Sequence, residues 1–279
     1  MSNTILIKKA SGELVPFSAE KLAASLTRIG ASEALIDLVV KDILSWLTEG
    51  EHTRKIYKRA FALLRKYKRS AAARYSLKKA IMELGPSGYP FEHFVGAVFQ
   101  TMGFSVEVGQ EIEGMCVTHE VDVIATNHHH QHFVECKFYN SPGKNASVQV
   151  PLYIRSRVND IIAKRQLQSQ YKGYEFHGWV ATNTRFTPDA KAFGICSGLN
   201  LLSWDYPEEK SLKKIVEDNH LFPITALTLL TKTDKEKLLS EGTVLCRQLA
   251  DEPGLLDVLQ ITEQKKAKII KEVKELGNI

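Results

Sequence analysis

Three charged side chains sit on stretches whose composition is otherwise that of a buried sheet. Asp122 lies in Glu120-Val-Asp-Val-Ile-Ala125, and Glu135 and Lys137 lie in Phe133-Val-Glu-Cys-Lys-Phe-Tyr139. Desolvating an ion costs several kcal/mol, on the order of 3 or more, so charges on a core strand are paired with one another or bind a metal. Two carboxylates can hold a hard cation, and an ammonium beside them can steady a developing negative charge.

A β-hairpin brings the three together. Both stretches are rich in β-branched and aromatic residues, and Asn127-His-His-His-Gln131 between them supplies turn chemistry. A turn centred on that segment sets Asp122 level with Glu135 to Lys137. Because side chains alternate along a strand, Glu135 and Lys137 share a face, and Val134, Cys136 and Phe138 point the other way.

Asp122, Glu135, Cys136 and Lys137 resemble the Asp…Glu-x-Lys signature of restriction-endonuclease-like nucleases, in particular the Mrr-like group. Two further blocks carry the resemblance. Upstream, Tyr89-Pro-Phe-Glu-His-Phe-Val-Gly-Ala-Val-Phe99 is similar to the helix that opens that domain. Downstream, Trp179-Val-Ala-Thr-Asn-Thr-Arg-Phe-Thr187 and Trp204-Asp-Tyr-Pro207 resemble its closing segments. The resemblance implies an α/β domain with a central mixed sheet. In it Asp122 and Glu135, with the Cys136 carbonyl, hold Mg²⁺ or Mn²⁺, and Lys137 acts on the attacking water or the phosphate. Glu120 stands where the family usually has Gly and adds negative charge. Glu92 reads in two ways: as a solvated first-turn residue, or, by the resemblance, as an acid that approaches the metal. Gln149 likewise reads as a strand-end residue on solvent or as a polar neighbour of the site.

The first 85 residues form a separate block. A short hairpin over residues 4 to 17 turns at Ser11-Gly12, and four helices follow, the first capped by Ser18, the second by Ser32, the third after Thr53 and the fourth from about Ser70 to Leu84. Ile7-Lys-Lys-Ala-Ser-Gly12, Val15-Pro-Phe17, Lys21-Leu22 and Ala73-Arg-Tyr-Ser-Leu-Lys78 resemble the ATP-cone, a nucleotide-binding regulatory domain. The resemblance implies ATP or dATP held with help from Lys8, Lys9 and Lys21, with Ala10 in place of the family's Arg. From composition alone the same lysines are an ordinary solvated face. Ser141-Pro-Gly-Lys-Asn145 lacks the spacing of a Walker loop.

At 279 residues and 44% hydrophobic content the chain has material for more than one core. Its net charge of +5 is compatible with a polyanionic partner without requiring one. Four cysteines without a Cys-x-x-Cys pair point away from a zinc ribbon or a disulfide framework. No apolar run has the length of a signal core or a membrane span, so a cytoplasmic protein with no membrane partner is expected.

The cluster His128, His129, His130 and His132 lies at the hairpin tip, on the order of 15 to 20 Å from Asp122 and Glu135 at about 3.3 Å per residue. It reads as a polar tip, not as ligands of the same ion. The basic stretch with Arg155, Arg157, Lys164 and Arg165 suits either phosphate tracking or a solvated helix face paired with Asp160. Past Pro207 the pattern turns helical, and its last piece, with a turn at Gln260-Ile-Thr262 before a basic helix, fits half of a nucleic-acid-binding helix pair or a tail packed on the nuclease domain.

The expected architecture is therefore an α+β ATP-cone at 1–85, an α/β restriction-endonuclease-like domain at 86–210 and a helical region at 211–279. The expected activity is metal-dependent cleavage of DNA under nucleotide control. A homo-oligomer is among the assemblies this allows. The alternative is a catalytically silent nucleic-acid-binding or regulatory protein that keeps the fold.

Overall fold

The computed structural model describes residues 5–9, 11–141 and 143–277. The expectations for Thr4, Ala10, Pro142 and the last two residues lie outside them. The chain opens with β1 (Leu6–Lys8) and β2 (Leu14–Pro16), an antiparallel pair with Ile7 opposite Val15. Then come α1 (Ala19–Arg28), α2 (Glu33–Trp46), β3 (Glu51–His52), parallel to β1, and α3 (Thr53–Tyr67). Ser18 caps α1, its hydroxyl accepting from the Lys21 N–H at 3.1 Å. Ser32 precedes α2 as expected but its side chain caps nothing. The expected fourth helix is two, α4 (Arg69–Tyr75) and α5 (Leu77–Met82), divided at Ser76, whose hydroxyl turns back to the Ala73 carbonyl.

The central sheet follows. After α6 (Tyr89–Thr101) come β4 (Ser105–Glu113), β5 (Thr118–Asn127), β6 (His130–Lys137) and the short β7 (Asn145–Ala146). Pro90 falls in the first turn of α6, where its missing N–H leaves no bond unmade. Next are α7 (Gln149–Gln166), β8 (Glu175–Thr182), β9 (Arg185–Phe186), α8 (Pro188–Ser197) and β10 (Asn200–Leu202). The strands lie in the order β10, β8, β6, β5, β4; the pairs on either side of β5 are antiparallel and those joining β6, β8 and β10 are parallel. This is a mixed sheet with one helical layer on each face. Ile124, Phe133, Val180 and Leu201 pack towards α7 and α8, and Val123, Ala125, Val134 and Ala181 pack towards α6.

The carboxy-terminal region is helical: α9 (Leu212–Asp218), α10 (Lys232–Ser240), α11 (Cys246–Asp251) and α12 (Glu263–Gly277). It packs onto the sheet domain. Leu238, Leu249, Ile269 and Val273 share one core with Phe94 and Val98 of α6, and also with Leu77, Ile81 and Leu84 at the end of the amino-terminal block. The remainder of that block, from Ile7 to Ala72, has its own core. Buried Glu272 on α12 fastens the loop before α10, accepting from the Thr228 N–H at 2.8 Å, the Thr228 hydroxyl at 2.6 Å and the Leu229 N–H at 3.1 Å. No helix among the described residues is long and apolar enough to cross a membrane.

Candidate active site

The hairpin that carries the charged residues is tighter than the sequence predicts. Asn127 pairs with His130, so the turn is only His128-His129, with His128 at φ 49°. Two-residue hairpin turns require such a left-handed residue to match the strand twist. The ladder runs from there to Val123 opposite Val134, and beyond it the Cys136 N–H is taken by the Asp122 carboxylate, Oδ2 accepting at 2.6 Å. Alternation puts Glu135 and Lys137 on the side of Phe133, the face covered by α7. Asp122 stands where the alternation of β5 breaks, since Val121 and Ile124 share the α7 face and Val123 takes the other, and its carboxylate joins the pair through the Cys136 N–H.

Glu135 is the hub. It is buried, with Oε1 2.5 Å from Lys137 Nζ, while Oε2 accepts from Arg157 Nη1. The same Nη1 also donates to the Glu120 carbonyl at 3.0 Å, and Arg157 Nη2 donates to the Tyr153 hydroxyl at 2.8 Å. The basic stretch of α7 is thus neither purely solvated nor paired as expected: Arg157 turns to Glu135. Asp160 turns away, to the Cys116 N–H at 2.9 Å and His119 Nε2 at 2.8 Å.

Carboxylates crowd around this hub. Burial, and then the negative charge of Glu135, push the Asp122 carboxyl up to about 6, against the pull of the Cys136 N–H, Lys137 and Arg157. Glu92, in the first turn of α6, is pushed up to about 7 by burial and by the charges of Asp122, Glu120 and Glu135. Burial alone would lower Lys137, yet the bond to Glu135 and the charges of Glu135 and Asp122 hold it above its ordinary value. Glu92 therefore lies within electrostatic reach of Asp122, Glu120 and Glu135. Among the described residues, however, Glu92, Asp122 and Glu135 do not bring their oxygens within ligand distance of one another.

Gln149 is exposed at the first position of α7, not at a strand end, and shares the side of that helix with Tyr153 and Arg157 by its spacing of four and eight. Pro151 is accommodated there because a helix's first N–H groups have no intrahelical partner. The residues proposed for nucleotide lie elsewhere. Lys8 is exposed on β1, Lys9 pairs with Glu13 at 3.0 Å, and Lys21 is exposed in the first turn of α1.

Buried polar groups at the end of β8 anchor the segment that follows the hub, and only their place in a family-like block marks them in the sequence. The Thr182 hydroxyl donates to the Lys137 carbonyl at 2.7 Å. Asn183 makes a two-way clamp on Tyr139, accepting from its N–H and donating to its carbonyl, each at 2.9 Å. Gly85 lies so close to Phe138 and Asn140 that a Cβ there would collide with both.

The donor set is the all-oxygen kind that suits a hard divalent ion, although the carboxylates would have to close on it. Mg²⁺ needs only one or two carboxylates and completes its shell with water and substrate. Asp122 and Glu92 are both pushed up first by burial and then by neighbouring negative charge, and such an ion would offset the second cause.

Residues 85–205 match the family model described as restriction endonuclease, and residues 222–277 match the one described as AF1548-like, C-terminal. A relative from Archaeoglobus fulgidus, described as an uncharacterized protein, is 30% identical over 180 residues, which are 62% of this chain and 94% of its own. A crystal structure described as that of a protein of unknown function, AF1548, is 28% identical with a TM-score of 0.55. The match covers 69% of this chain and 99% of that one. MspJI restriction endonuclease in complex with a 27-mer oligonucleotide is a more distant likeness, 14% identical with a TM-score of 0.32, over 86% of this chain and 48% of its own.

Proposed function

We propose that this chain, which belongs to the AF1548-like family and carries a restriction-endonuclease-like domain, is a divalent-metal-dependent endonuclease that hydrolyses phosphodiester bonds in DNA. One observation carries the reading: Asp122, Glu135 and Lys137 converge beyond the end of the β5–β6 ladder, with the Asp122 carboxyl raised by burial and by Glu135.

Asp122 and Glu135 are the residues to hold Mg²⁺ or Mn²⁺. A bound ion of this kind supplies a more acidic water and a counter-charge for the phosphate. Lys137, fixed against Glu135 yet 36% exposed, has its ammonium where it can meet the scissile phosphate or orient the water. Arg157 fixes the plane of the Glu135 carboxylate from the other side, and Tyr153 fixes Arg157. Glu92 holds a proton close to neutral pH and limits the negative charge that DNA must approach. Gln149, at the open end of α7, is assigned to the substrate side of the site.

The amino-terminal block is read as an ATP-cone that binds ATP or dATP through Lys8, Lys9 and Lys21. The paired β1 and β2 and the capped start of α1 support this, since they put three exposed lysines around a turn and a helix start. A catalytically silent nucleic-acid-binding protein is the second reading, favoured by the full engagement of Glu135 with two cations.

The purified full chain incubated with plasmid DNA and Mg²⁺ or Mn²⁺, with and without ATP or dATP, separates these readings. Nicking that is abolished by chelation and by Asp122→Asn is expected. DNA binding without cleavage under every condition would leave the silent reading in place. Calorimetry of the full chain with ATP tests the cone, and the absence of binding heat at millimolar ATP would remove it.

A further inference from the structure

The histidines at the hairpin tip have partners that sequence separation conceals. Strand β8 runs parallel to β6 with Glu175 opposite His130 and His177 opposite His132. Residues opposite each other in a sheet project to the same side, so these four side chains form a square patch at the amino-terminal ends of the two strands. By alternation it lies on the opposite face of the sheet from Glu135 and Lys137. Along β6 it lies five residues from Glu135, about 16 Å at 3.3 Å per residue.

We propose that His130, Glu175 and His177 form a second metal site, for a borderline divalent cation of the Zn²⁺ class, separate from the carboxylate site. The three donor atoms lie within 4.8 Å of one another, the one group of three ligand-type side chains so gathered among the described residues. One carboxylate oxygen, Glu175 Oε2, is 3.4 Å from His130 Nδ1 and 3.8 Å from His177 Nε2. Metal–ligand bonds of 2.0 to 2.1 Å at tetrahedral angles place neighbouring donors about 3.3 to 3.4 Å apart. The site is therefore near its closed geometry and needs only side-chain adjustment.

Two imidazoles and a carboxylate suit Zn²⁺, Co²⁺ or Ni²⁺ better than the all-oxygen shell of Mg²⁺. Three protein ligands leave one position for water. His132 is not a ligand. Its Nδ1 accepts from Trp179 Nε1–H at 2.7 Å, and its ring stacks against that of His177 at 4.9 Å, which braces one ligand from behind. An ion here ties β6 to β8, the strands that carry Glu135, Lys137 and Thr182.

The test uses the full chain stripped of metal, titrated with Zn²⁺ by calorimetry and with Co²⁺ by visible absorption, in an Asp122→Asn background that removes the carboxylate site. One equivalent of Zn²⁺ is expected to bind, with the stronger visible absorption of four-coordinate Co²⁺. Glu175→Gln and His177→Ala should each weaken Zn²⁺ at least tenfold. A double change of His128→Ser and His129→Ser, in the same turn but outside the set, should leave it unchanged. Glu175 is 68% and His177 37% exposed, so neither change opens the core, and circular dichroism confirms that each variant is folded. No binding at 100 µM Zn²⁺, or parent affinity in both Glu175→Gln and His177→Ala, would overturn the proposal and leave the cluster as an ion pair shared by two imidazoles.

Discussion

Replacing Glu135 by Gln separates the two tasks assigned to that residue. The amide has the shape of the carboxylate and can still accept from one cation, but the charge that both Lys137 and Arg157 share is gone. Lys137, 36% exposed, regains water readily, whereas Arg157, 17% exposed, does not. Losing charge-assisted hydrogen bonds at a carboxylate only 7% exposed costs about 2 to 4 kcal/mol of unfolding free energy. A domain with a typical stability of roughly 5 to 15 kcal/mol survives that loss, so the variant can be assayed folded. Its cleavage rate should fall at least a hundredfold, about 2.7 kcal/mol of activation free energy. Plasmid nicking at saturating Mg²⁺ reads the loss of rate, and urea denaturation followed by tryptophan fluorescence reads the loss of stability. Nicking at the parent rate by the folded variant would refute the assignment of the active site. Parent stability would refute the claim that the ion pairs are shielded from water.

Lys137→Ala should leave DNA affinity, read by fluorescence anisotropy, within a few-fold of the parent while slowing cleavage at least a hundredfold; equal losses of both would make Lys137 a phosphate contact only. The Asp160 carboxyl is lowered to about 2, first by its bond to His119 and then by Cys116. A depressed carboxyl contributes stability that is fully present above the unfolded value near 3.8 and is lost as pH falls through about 2. The stability difference between the parent and Asp160→Asn should therefore be constant above pH 5 and close between pH 4 and 2, measured by denaturant titration at each pH. Glu272→Ala strands the two N–H groups and the hydroxyl that it accepts, and should cost about 2 to 4 kcal/mol, seen as a lower urea midpoint with cleavage per folded molecule unchanged.

Local pattern revealed the hairpin, the shared face of Glu135 and Lys137 and the helix cap at Ser18, because each depends on neighbours a few residues away. The turn length was not legible. His128 carries the positive φ that Gly or Asn usually signals, so the turn reads as longer than it is. Arg157 meets Glu135 only because α7 crosses the sheet, 22 residues on in the chain, and no periodicity encodes that crossing. Glu175 and His177 were invisible as partners of His130 for the same reason: a parallel pair joins strands separated by a long crossover. Glu272 reads as one more charge on a polar helix, although it is buried with three donors around it. Ser76 divides the fourth helix with its hydroxyl turned back to the Ala73 carbonyl, a choice that helix propensity barely registers.

The core that Leu77, Ile81 and Leu84 share with α6 and the carboxy-terminal helices changes what kind of object the amino-terminal block is. A module that can be moved between proteins as a cassette carries its whole interior with it and touches its host through a surface. Here the last two helices of the block supply interior to the host. The Thr225 hydroxyl reaches across to the Ala80 carbonyl at 2.7 Å, and Arg74 reaches the Leu276 carbonyl at 2.9 Å. A graft that joined another domain at Gly85 would have to reproduce the apolar face of α5 or leave part of the shared core in water. Transplantation succeeds only with a cut upstream of residue 73, where the two interiors divide. The block is thus joined to the restriction-endonuclease-like domain through shared interior side chains instead of a hinge.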